Sequence, residues 1–103
     1  MAEDLIGRYT AMVANNPDNE LARFSLAKSL FDAGRFAEAG DAFHWCLQKK
    51  PDWMVPAILL SRCHLELGNK QAARDSLERA RQLAIDQHHD GPLEEIKGLM
   101  ASL

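Results

Sequence analysis

The sequence predicts an all-α protein built as a stack of antiparallel helix hairpins. Three observations carry that prediction. The first is an internal repeat with one constant interval: Pro17-Asp18 returns as Pro51-Asp52, Gly34 returns as Gly68, and apolar or small residues between these marks fall into register. The second is helical spacing of apolar residues along almost the whole chain. The third is that no run of Val, Ile or Thr alternates with period two, so strand signals are missing. A hairpin of this length cannot bury its own apolar face, and stacking supplies the core.

The elements follow in order. Leu5, Ile6, Tyr9, Met12 and Val13 share one face of a first helix, which stops before Asn15-Asn16-Pro17 because proline disfavours helix in the residue before it. A second helix starts near Asp18 or Asn19 as cap and runs to Ala33, with Leu26, Ala27, Leu30 and Ala33 in one stripe; Gly34 closes it, since glycine takes the left-handed conformation at little cost. A third helix spans Phe36 to Lys49, with Phe36, Ala39, Phe43, Cys46 and Leu47 inward and Lys49-Lys50 favoured at its negative end. Asp52 is expected to cap a fourth helix running to Leu67, with Pro56 in its first turn. A fifth starts near Lys70 and carries Ala73, Leu77, Ala80, Leu83 and Ala84. Ile85 stands where the earlier unit has Pro51, so this helix is extended to about His88. Asp90-Gly91-Pro92 opens a last helix, with Pro92 as its first residue and Leu93, Ile96, Met100 and Leu103 apolar.

Composition fits one domain of 103 residues, 47% apolar and 26% charged. The formal net charge of -3 and the interleaving of bases with acids argue against a nucleic-acid surface. The acidic start lacks the pattern of a secretory signal, and no stretch approaches the roughly 20 apolar residues of a membrane span. A cytoplasmic protein is expected, without membrane or nucleic-acid partners. Cys46 and Cys63 do not form a CxxC pair and read as buried, reduced thiols.

These residues resemble the tetratricopeptide repeat (TPR) family, whose pattern runs W-x2-L-G-x2-Y, A-x3-F, P. The first unit reads Arg23-x2-Leu26-Ala27-x2-Leu30, Ala39-x3-Phe43, Pro51; the second reads Ala57-x2-Leu60-Ser61-x2-His64, Ala73-x3-Leu77, Ile85. Leu5, Tyr9, Met12 and Pro17 precede Ala39, Phe43, Cys46 and Pro51 by the same interval. Both units lack the tryptophan, and the second lacks the proline. The resemblance implies a right-handed superhelix of about six helices: a half repeat over 4–17, repeats over 20–53 and 54–87, and a capping helix over 92–102. It also implies a concave groove lined by the first helix of each pair. Groove positions are Leu21, Phe24, Lys28, Phe31 and Asp32, then Val55, Ile58, Arg62, Leu65 and Glu66.

Lys28 and Arg62 stand one repeat apart among apolar steps, a pattern suited to a peptide with an acidic group. The competing expectation is that terminal helices cover Phe24 and Phe31. Some TPR domains clamp a C-terminal carboxylate with Lys and Asn; here Phe24 occupies the first clamp position, against that mode. Trp45 lies opposite its helix's apolar stripe and is a candidate oligomer interface, against simple packing on a neighbouring loop. Trp53 is expected to pack on the first turn of the fourth helix. His88 and His89 point to different sides of a helix and read as polar helix-end residues. His64, in a core stripe, reads as a hydrogen-bonded histidine. No catalytic triad, phosphate loop or carboxylate pair appears, and neither cofactor nor metal is expected. The sequence therefore points to a non-catalytic protein-interaction module that binds a peptide or protein. The alternative is a small structural protein that self-associates weakly, as a homodimer, through its ends or the Trp45 face.

Overall fold

The computed structural model describes residues 2–103, with side chains from Glu3 onward. Six helices follow one another: α1 (Ala2–Asn15), α2 (Glu20–Asp32), α3 (Phe36–Lys49), α4 (Met54–Glu66), α5 (Lys70–Asp86) and α6 (Asp90–Ala101); no strand occurs among the described residues. Each helix packs chiefly on its neighbours in sequence, so the chain grows in one direction. The radius of gyration, 13.6 Å, and a long axis of 38 Å against 26 and 21 Å fit such a stack.

Small residues set the spacing between helices. Ala27, Ala39, Ser61, Ala73 and Ala80 are wholly buried, and a larger side chain at any of them would push paired helices apart. Ser61 is tolerated in the core because its hydroxyl donates to the Ala57 carbonyl at 2.9 Å. Phe43, Leu77 and Ile96 are the largest buried apolar side chains and fill the centre of successive layers. α6 closes the stack against α5, and an ion pair ties it to α4: Arg62 to Glu95, 2.6 Å.

Several helix ends depart from the sequence expectations. The α2 cap is not one of them: Asn19, one of the two expected residues, caps it, its side chain accepting from the Ala22 amide at 3.1 Å. The cap of α4 is Trp53 and not Asp52, and it makes no side-chain cap hydrogen bond. Pro92 is the third residue of α6, the same place that Pro56 takes in α4.

α5 ends at Asp86, short of His88, for a reason visible in the backbone. His88 has φ +57°, alongside Gly34 at +78° and Gly68 at +76°. In all three turns the residue after the left-handed one donates to a carbonyl five residues back: Arg35 to Leu30, Asn69 to His64 and His89 to Ala84, each 2.9 Å. These are the hydrogen bonds of a Schellman ending. The chain thus stops α5 without proline, by forcing a histidine into the glycine geometry.

α1 differs from the other helices of its kind. Ala39, Phe43 and Cys46 on α3 are wholly buried, whereas their counterparts Leu5 and Met12 on α1 remain 42% and 43% exposed and Tyr9 half-buried; of the apolar residues on this helix, Ile6 reaches the core. Leu5 and Met12 thus keep more of their surface open than the corresponding residues of α3.

Candidate functional site

Side-chain contacts join α2 to the start of α4 and α4 to α6. The Trp53 ring at the start of α4 lies 5.0 Å from the Phe24 ring of α2, and Arg62 of α4 bonds Glu95 of α6. All ten groove positions read from the sequence sit on α2 or α4.

Their environments differ. Leu21 is 71% exposed and Val55 45%, an apolar pair one repeat apart. Phe24 and Phe31 are half-buried, each set edge-on against a ring of α3: Phe24 on Phe43 at 5.9 Å, Phe31 on Phe36 at 5.4 Å. Both rings thus serve the protein's own packing on one side while keeping part of their surface open. Ile58 is buried, Leu65 is half-buried, and Glu66 is exposed.

The two groove cations are already engaged. Lys28 donates to Asp32 one turn on, at 2.7 Å, and Arg62 donates twice to Glu95. All four side chains remain well exposed, so each pair contributes about 0.2–1 kcal/mol and can exchange partners at small cost.

Trp45 is half-buried on α3, with the Arg23 guanidinium 4.5 Å above its ring and the Lys49 ammonium 5.4 Å away. Arg23 occupies the position where the family pattern has tryptophan. Here α3 supplies the indole and α2 the cation that lies on it, a contact worth about 0.5–2 kcal/mol.

A cleft of about 280 Å³ opens between α3 and α4, lined in part by Gly40, Asp41, His44, Leu60 and His64. His64 is not the hydrogen-bonded histidine expected, because its Nδ1 is buried without a partner. Burial, and then the neighbouring His44, holds the His64 imidazole below its ordinary pKa. Cys46 and Cys63 are free and buried, and burial pushes both thiols up to about 11, away from reactive thiolate. Among the described residues no three His, Cys, Asp or Glu side chains converge to hold a metal ion. No helix there is long and apolar enough to cross a membrane.

One feature escaped sequence reasoning. Trp53 stands one repeat after Asn19, the capping residue of α2, and an indole cannot cap a helix by accepting a hydrogen bond. Losing such a cap costs about 1 kcal/mol. The Lys50 ammonium lies 5.4 Å from the Trp53 ring, and a cavity of about 450 Å³ opens beside both. The mismatch between Asn19 and Trp53 was the available signal; the cavity itself depends on how the α5–α6 turn folds back.

The tetratricopeptide repeat family model matches residues 30–103. Comparison with curated proteins gives no match. Among solved structures, the crystal structure of PcrH from Pseudomonas aeruginosa superposes with a TM-score of 0.86 at 17% identity, over 97% of this chain and 76% of that one. PcrH in complex with the chaperone binding region of PopB gives the same score and identity over 95% and 80%. At that identity the likeness is one of fold.

Proposed function

The chain belongs to the tetratricopeptide repeat family, and from that premise we propose that it is a non-catalytic interaction module that takes a peptide segment of a partner protein on its α2–α4–α6 face. The observation that carries this reading is the exposure of Leu21 and Val55, one repeat apart on neighbouring helices, beside partly open Phe24, Phe31 and Leu65. Apolar side chains left uncovered at helical-repeat spacing offer successive anchors to an extended or helical peptide. The similar fold of PcrH, known in complex with the chaperone binding region of PopB, supports a protein segment as the kind of partner. Asp32 and Glu95 hold Lys28 and Arg62 only through exposed pairs, so an acidic residue of the ligand could replace either carboxylate.

Peptides selected from a random displayed library, mapped on the protein by amide chemical shifts, test the proposal. Shifts should concentrate on Leu21, Phe24, Val55 and Leu65. Shifts on the outer surfaces of α3 and α5 instead, or a selection that yields no binder, would refute it. A second reading, weak self-association, is favoured by Leu5 and Met12 of α1, which stay 42% and 43% exposed. A sedimentation coefficient that stays constant as concentration rises would eliminate that reading.

A further inference from the structure

We propose that the cavity at the start of α4 is the anchor subsite of the interaction face, taking an apolar side chain of the peptide together with a neighbouring carboxylate. Trp53 and Val55 meet the apolar group, and Lys50 meets the acid. This rests on the reading of the α2–α4–α6 face above and names the ligand chemistry for one end of it.

Four observations support the assignment. The depression is broad and open to solvent, and it is lined by residues of three segments: the α3–α4 connection, the first turn of α4 and the α5–α6 connection. Its walls are tied, because the Gln87 side chain donates to the Asp52 carbonyl at 2.8 Å and joins the two connections. Its aromatic wall is positioned: the half-exposed Trp53 ring rests on Phe24, tilted by 30°, at the place where the preceding repeat uses a capping asparagine. Its cation is available. Lys28 and Arg62 each bond a carboxylate, whereas Lys50 meets none among the described residues and lies only against the indole.

Asp52 also lines the cavity. Its charge repels an acid placed on its own side and so restricts the ligand carboxylate to the Lys50 side of the ring.

The test uses three blocked dipeptides, acetyl-Leu-Glu-amide, acetyl-Leu-Gln-amide and acetyl-Ala-Glu-amide. Binding is read at the Trp53 indole N–H resonance of the unmodified protein and by fluorescence of the Trp45→Phe variant, in which Trp53 is the remaining tryptophan. The Leu-Glu peptide should bind about two- to fivefold tighter than the Leu-Gln peptide, the range an exposed charge pair provides. It should also bind tighter than the Ala-Glu peptide. Lys50→Met should abolish the preference for Glu over Gln, Asp52→Asn should strengthen Leu-Glu binding, and Lys70→Met, at the exposed start of α5, should change neither. Equal binding of the Glu and Gln peptides, or a preference that survives Lys50→Met, overturns the assignment. So do shifts confined to Ile58, Arg62 and Leu65, although those would leave the interaction face standing. If library-selected peptides also leave α2, α4 and α6 unshifted, both proposals fall together.

Discussion

Replacing His88 by glycine should stabilise this protein, and the three helix ends of the structure set the size of the effect. Gly34, Gly68 and His88 occupy the same left-handed position and support the same hydrogen bonds. A non-glycine residue there costs roughly 1–2 kcal/mol through the clash of Cβ with the backbone. Glycine gives back roughly 0.5–1 kcal/mol through the extra freedom of the unfolded chain. His88→Gly should therefore gain about 0.5–1 kcal/mol, which for a domain of this size raises Tm by about 2–8 °C. The reverse changes calibrate the argument. A Cβ built on Gly34 or Gly68 meets no atom within 4 Å, so Gly34→Ala and Gly68→Ala lose stability through backbone conformation alone, by about 1 kcal/mol each. Thermal and urea unfolding followed by far-ultraviolet circular dichroism measures all three variants. If both glycine variants are destabilised while His88→Gly is neutral or worse, the His88 side chain makes compensating contacts and the strain argument fails. If the glycine variants are neutral as well, the left-handed position does not constrain this fold.

Two further predictions concern the core and pH. Phe43 is wholly buried and Phe31 half-buried, so Phe43→Ala should cost about 3–5 kcal/mol, a large part of a small domain's stability, and Phe31→Ala about 1–2 kcal/mol; equal shifts in urea midpoint would contradict the layer assignment. His64 has its folded-state pKa lowered below 6.5, by burial and by His44, so the unfolded chain binds the proton more readily. The stability it contributes is present above about pH 6.5 and is lost as pH falls below that value. Asp75 and Arg79 from α5 and Asp41 from α3 line the clefts around it, and His64→Gln should flatten the fall in stability between about pH 7 and 5.5. An unchanged slope would show that other groups carry the acid sensitivity.

The internal repeat determined the all-α architecture, the number of helices and the boundaries of α3, because each rests on local spacing: apolar residues at helical period, glycine after α2 and α4, proline after α1 and α3. The groove positions were legible as a list, but their environments were not. Ile58 lies buried while Val55, on the same helix, stands open, and the carboxylate that meets Arg62 comes from Glu95, on a helix distant in sequence. Trp45 gained its cover from Arg23 of another helix, and the cavity beside Trp53 exists because the α5–α6 turn ends at a left-handed histidine and returns Gln87 to Asp52. Helical period and turn chemistry act within a few residues and can be read along the chain. Exposure, ion pairing and cavities depend on surfaces that meet only after the helices stack, so the tertiary structure decided them.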